Sequence, residues 1–186
     1  MRIKSLYLSG PDLWTPDADA LIARKRTLCH DAGYEGVTAR DGDRHETEAT
    51  EASAREIYAG ALANLRRSDA VIANLTPWRG VSCDPGVAFE AGFASALCKP
   101  VFAYVNVADE GEADYRERVE VLMGASPDDS GVWRDPDGCE VEDFGLPENL
   151  MLWAEARRFF IIVTPDPLSD TTGLELCIEA LREYAD

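Results

Sequence analysis

The stretch 74–92, NLTPWRGVSCDPGVAFEAG, sets one carboxylate, Glu90, among Val87, Ala88, Phe89, Ala91, Gly92 and Phe93. A carboxylate in such company is costly to bury unless it is paired or used. Glu90 is therefore either the solvated position of an otherwise buried helix or a partly buried carboxylate at a sheet edge. In the second case it can act as a nucleophile or a general base. Asp84 lies six residues earlier, just before Pro85 and Gly86, and suits the N-cap of the helix that carries Glu90. Tyr7 ends a first apolar run, ahead of Leu8-Ser9-Gly10-Pro11. A phenol there can hydrogen-bond a carboxylate on a neighbouring helix and fix its rotamer, or it can fill the core. Ser9 and Gly10 either present a hydroxyl and backbone groups to a ligand or simply build the turn. Trp14 and Trp78, both in loops, either form a stacking wall for a planar base or cover the core.

Other chemistries find less support. The five cysteines, Cys29, Cys83, Cys98, Cys139 and Cys177, are widely spaced with no CxxC, which fits neither a disulfide framework nor a zinc site. Cys29, Cys98 and Cys177 read as packing residues in apolar helices. Neither His30 nor His45 is placed to activate Cys83. No metal or cofactor is expected. A formal net charge of -17 argues against nucleic acid or an anionic membrane as partner, but not against a neutral nucleoside. No apolar run approaches the roughly 20 residues of a membrane span. The N-terminus has no signal-peptide pattern, so a cytoplasmic location is expected.

The elements that must position these residues follow from periodicity. Strands are expected at 3–9, 34–39, 70–75, 101–105 and 159–163. Helices are expected from Thr15 as N-cap with Pro16 at the first position through His30, and at 52–67, 86–97, 115–123, 147–154 and 173–184. Residues 40–50 read as a charged loop and 128–145 as a long Asp- and Gly-rich loop. Strands of near-continuous apolar character alternating with helices point to one α/β domain over 1–186. Its expected core is a flavodoxin-like, doubly wound, five-stranded parallel sheet with helices on both faces. Ligands of such sheets bind beyond the carboxyl ends of the strands, which points to 9–14, 74–90 and the loop after Val105.

Four blocks, YLSGPDLWTPDA at 7–18, SDAVIANLTPWRG at 68–80, DPGVAFEAGFASALCKP at 84–100 and FGLPENLMLW at 144–153, together resemble the nucleoside 2-deoxyribosyltransferases, nearest the kinetoplastid-like branch. The resemblance implies a flavodoxin-like fold and a homo-oligomer with sites shared between subunits. The implied substrates are a deoxynucleoside and a free nucleobase, with ribonucleosides reacting poorly. It makes Glu90 the nucleophile that attacks C1′ and forms a deoxyribosyl ester, Tyr7 its orienting phenol, and Asp84 a contact to sugar or base. Asn149 would be donated to the neighbouring subunit's sugar. Gly86 and Met151, within the third and fourth blocks, join Ser9, Gly10, Trp14 and Trp78 as substrate-contacting candidates. One position departs from the pattern: Ala61 stands where the family often carries Asp or Asn, so the proton donor to the leaving base is left open. Two rivals remain. The first is a hydrolase of nucleoside 5′-monophosphates, disfavoured by Asn149 in place of a phosphate-binding serine and by the absence of a Gly-rich first loop. The second is a non-catalytic nucleotide-sensing module on the same fold.

Overall fold

The computed structural model describes residues 3–42 and 48–185; the middle of the charged 40–50 loop lies outside them. Ser5–Ser9 (β1), Glu35–Val37 (β2), Ala70–Asn74 (β3), Val101–Val107 (β4) and Phe159–Val163 (β7) form one sheet in the order β2-β1-β3-β4-β7, with every pairing parallel. This is the flavodoxin-like arrangement, and its strand order reverses between β1 and β3. A crevice forms there because the chain leaves the two strands toward opposite faces. The central strands β1, β3 and β4 are buried along their whole length, whereas the edge strands β2 and β7 are partly exposed.

Side chains alternate across a strand, and this divides the core in two. Leu6, Leu8, Ile72, Phe102 and Tyr104 pack against Thr172–Ala185 (α6), through Leu174, Cys177, Ile178 and Leu181, and against Cys29 of Ala18–Asp31 (α1). Tyr7, Val71, Ala73, Val101 and Ala103 face the other way, toward Val87 and Ala94 of Pro85–Ala96 (α3) and Leu65 of Glu51–Arg67 (α2). The two-residue period thus sends Tyr7 to the α3 side of the sheet.

Several boundaries differ from the sequence expectation. Thr15 does not cap α1. Pro11–Trp14 forms a 3-10 turn instead, seeded by proline at its first position, and Thr15 spends both its backbone N–H and its hydroxyl on the Asp12 carbonyl. The helix then starts at Ala18. Thr50 caps α2 in a reciprocal box with Ser53. Cys98 is not a packing residue: it is exposed, just past α3, with φ 55, the left-handed conformation that ends many helices. Cys29 and Cys177 are buried as expected.

The expected loop at 128–145 is mostly irregular, but it carries one strand of a short hairpin. Tyr115–Met123 (α4) leads into a two-stranded antiparallel hairpin, Ser126–Pro127 (β5) and Trp133–Arg134 (β6). Asp128 accepts from the amides of Ser130 and Val132, the Ser130 hydroxyl and the Arg134 guanidinium. Val119, Ala125 and Val141 supply a small apolar cluster of its own. Leu150–Glu155 (α5) is shorter than expected because Asn149 serves as its cap. It packs on α3. Among the described residues no helix is long and apolar enough to cross a membrane.

Candidate active site

Tyr7 and Ser9 are two apart on β1, so both meet the helix on the α3 face. The Tyr7 hydroxyl donates to Glu90 Oε1 at 2.6 Å and the Ser9 hydroxyl to Oε2 at 2.5 Å. Each carboxylate oxygen thus receives one short O–H donor, the length expected of charge-assisted bonds. Glu90 makes no ion pair among the described residues. Burial pushes its carboxyl above the usual carboxylate range. The Ser9 and Tyr7 donors pull it back, and the negative charge of Asp84 adds to the push. Tyr7, fully buried, is held protonated far above its ordinary value by burial first and then by the Glu90 charge. The phenol is therefore a fixed donor and not a base.

Asp84 caps α3: its Oδ1 accepts from the Gly86 amide at 2.8 Å. A Cβ at Gly86 would sit 2.8 Å from that oxygen and press on the cap. Gly10 is more tightly constrained, since a Cβ there would lie 2.9 Å from both Asn74 Cβ and Asp12 Oδ2. The Ser9 hydroxyl spends its proton on Glu90 and keeps only acceptor capacity for a ligand. Trp14 does not cover the core either, being 62% exposed on the 3-10 turn. Trp78 is half-buried, with the Arg79 guanidinium 5.1 Å from its ring centroid and an indole N–H that is buried without a partner among the described residues. Asn149 caps α5, accepting from the Met151 amide at 3.0 Å and donating to Glu142 at 2.6 Å, while Met151 is exposed. Ala61 is half-buried on α2 and brings no carboxylate to this face.

Two buried ionic clusters went unforeseen. On the α1 side, Lys25 pairs with Asp12 at 2.6 Å and donates to the Tyr104 hydroxyl at 2.9 Å, and Asn74 donates to Asp12 at 3.1 Å. The available signal was a lysine in line with Leu21 and Cys29, one helical turn from each on the apolar stripe of α1. Beyond β4, the Arg118 guanidinium donates to the carbonyls of Val81, Glu112 and Pro147, each at 2.7 Å, and lies 3.5 Å from Glu148. Glu148 accepts in turn from the Ser82 hydroxyl and the Asn149 amide. Burial raises the Glu148 carboxyl and lowers Arg118, so at this separation desolvation outweighs their attraction. No sequence pattern marks this cluster. Among the described residues no group of three His, Cys, Asp or Glu side chains could hold a metal ion.

The model of the nucleoside 2-deoxyribosyltransferase family matches residues 6–151. The chain belongs to this family. The 2-desoxiribosyltransferase of Leishmania mexicana is similar in structure, with a TM-score of 0.65 and 26% identity over 95% of this chain and 97% of that one. A conserved protein of Enterococcus faecalis shares the fold, with a TM-score of 0.52 and 18% identity over 96% and 99% of the two chains. In sequence, an uncharacterized protein of Schizosaccharomyces pombe is 27% identical over 159 residues, 81% of this chain and 75% of that protein. The matched region of this nucleoside 2-deoxyribosyltransferase family member contains Tyr7, Ser9, Asp84, Glu90 and Asn149.

Proposed function

We propose that this protein exchanges the base of a 2′-deoxynucleoside through a covalent intermediate on Glu90. The observation that carries the reading is the Glu90 carboxylate at the switch point of the sheet, held by two hydroxyl donors and, among the described residues, by no cation. A carboxylate tied to a lysine or arginine is a poor nucleophile. One oriented by neutral donors and partly desolvated keeps its lone pairs available.

The reaction is a double displacement of the retaining-glycosidase kind. A Glu90 oxygen bonds to C1′ as the C1′–N bond breaks, the electron pair leaves with the base, and the base takes up a proton. A nitrogen of a second base then attacks C1′, releases the Glu90 carboxylate and loses its own proton. Water in place of the second base gives free deoxyribose. Tyr7 and Ser9 fix the carboxylate rotamer and favour its ionised form in the resting enzyme. Asp84, whose Oδ1 holds the α3 cap, contacts sugar or base with its second oxygen. Trp14, Trp78, Gly10 and Gly86 border the pocket. A second copy of the chain supplies Asn149. The exposed Met151 and Trp153 on α5, with Ile161 and Val163 on the edge strand β7, support an apolar contact there.

The test is product analysis. The protein is incubated with a deoxynucleoside, with and without a second free base. A new nucleoside is the expected product. Free base and deoxyribose alone would make the protein a hydrolase, and no turnover would leave a binding module. Equal turnover of ribonucleosides would count against the proposed sugar preference.

A further inference from the structure

We propose that the buried Asp12–Lys25 pair is a positioning device for the nucleophile: it seats the 10–15 strap and thereby holds Ser9 against Glu90. This rests on the reading of Glu90 as the reactive group. Asp12 and Lys25 are 5% and 3% exposed. Both oxygens of Asp12 are engaged, Oδ2 by Lys25 and Oδ1 by Asn74. Asp12 lies three residues beyond Ser9, and Lys25 lies on the helix that follows the strap, so the pair folds the β1–α1 connection back onto its own start. Thr15 donates to the Asp12 carbonyl and Arg40 to that of Leu13, so the strap is held at successive points. At Gly10 the backbone comes down on Asn74 so closely that no side chain fits.

Asn74 extends the same network to the other side of the site. Its Oδ1 accepts from the amide and hydroxyl of Thr76 at 3.1 and 2.6 Å. Thr76 begins the loop that ends in Asp84. The two segments flanking Glu90, 9–15 and 76–84, therefore hang from one buried polar cluster. Stability alone does not account for it. A methionine or leucine at position 25 would continue the apolar stripe of α1, and buried ion pairs replaced by apolar residues often lose nothing in stability. What such a replacement would lose is the fixed geometry of the strap.

The consequence is readable at Glu90. The groups acting on it are Tyr7 and Ser9 from β1 and Asp84 from the cap of α3. From α2, Tyr58 lies against Phe89 and Arg66 over Phe93, and Glu155 is the acid on α5. A loosened Ser9 removes one donor to the ionised carboxylate and so raises its titration. The variant Asp12→Asn/Lys25→Met removes both charges together and leaves neither buried alone. Its Glu90 titration, followed by the carbon-13 shift of the side-chain carboxyl with Glu90→Gln as assignment control, is expected about one pH unit above wild type. Ser9→Ala should give the same displacement, and the triple variant no more than either. The turnover number should fall roughly ten- to hundredfold, with KM changed by less than about twofold. A folded double variant that titrates and turns over as wild type, while Ser9→Ala is displaced, overturns the proposal. If the double variant does not fold, Thr15→Val loosens the same strap by one hydroxyl. It should displace the titration in the same direction by less, and an unmoved titration overturns the proposal equally. The titration needs no turnover. Failure of base exchange in the wild-type protein would sink the nucleophile reading while leaving the positioning role to be judged on its own.

Discussion

Asp12 and Glu90 are two buried or half-buried carboxylates at the carboxyl edge of one parallel sheet, and they are treated in opposite ways. Asp12 faces the α1 side and receives a full cation at 2.6 Å. Glu90 faces the α3 side and receives two neutral hydroxyls. The cation compensates the loss of hydration at Asp12 with an opposite charge. The hydroxyls compensate it only in part at Glu90, whose carboxyl burial therefore pushes upward. A group that retains an uncompensated desolvation cost, beside a crevice and with fixed orientation, carries the signature of a reactive site. A group matched by a counter-ion carries that of an anchor. Among the described residues the difference is one lysine, and on the proposed reading it divides work between the two faces of the sheet.

The strongest way to break the contrast is Glu90→Gln. Base exchange should fall by about four orders of magnitude or more, as for removal of a covalent nucleophile. The same change should stabilise the fold at neutral pH. The folded-state pKa of Glu90 is raised, so between the ordinary glutamate value of about 4.3 and the raised value the folded protein binds more proton than the unfolded chain. Stability contributed by the protonated form is fully present below the unfolded value and is lost as pH rises through the folded one. Thermal unfolding followed across this interval should show that decline in the wild type and its absence in the variant. Parallel curves for the two proteins would remove the basis for treating Glu90 as desolvated.

Lys25→Met is the counterpart on the other face. It leaves Asp12 buried without its cation and should destabilise by about 3–5 kcal/mol, measured by urea unfolding at neutral pH. The two substitutions each remove one charge at the same sheet edge, yet they should move stability in opposite directions. A Lys25→Met protein as stable as wild type would mean that Asp12 is not an anchor.

The two clusters were not equally legible in the sequence. Glu90 stood out because its neighbours are apolar or small, and Tyr7 because a phenol ends an apolar run. Asp84 was legible as a cap because proline and glycine follow it. The five strands followed from their continuous apolar runs. Asp12 and Lys25 were not legible as a pair, because their partnership depends on a turn whose 3-10 geometry no periodicity reports. The bond from Ser9 to Glu90 was hidden for a related reason. Its direction follows from the pleat, but its partner is 81 residues away. The hairpin at 126–134 was hidden because its order comes from one aspartate collecting backbone amides, and an Asp- and Gly-rich composition resembles a loop. Arg118 and Glu148 carry no sequence signal, and only the tertiary fold shows three backbone carbonyls converging on one guanidinium.

Two smaller effects sharpen the account of Glu90 because they act on its titration with opposite signs. Tyr7→Phe removes one donor to a charged acceptor, worth about 1.5–3 kcal/mol. It should raise the acid limb of the kcat/KM profile by about one pH unit or more and lower the plateau roughly tenfold or more. Asp84→Asn is the gentlest change. Asparagine caps a helix about as well as aspartate, so urea unfolding should move by less than about 0.5 kcal/mol, while the acid limb should shift downward by a fraction of a pH unit because a negative charge near Glu90 is gone. The position of the limb and the height of the plateau answer different questions. A lowered limb with an unchanged plateau makes Asp84 an electrostatic neighbour and a cap. A lowered limb with a plateau that collapses for poor leaving bases and holds for good ones makes Asp84 the proton donor that Ala61 cannot be. An acid limb that rises on Asp84→Asn would contradict the arrangement of charges around Glu90 from which the contrast with Asp12 was drawn.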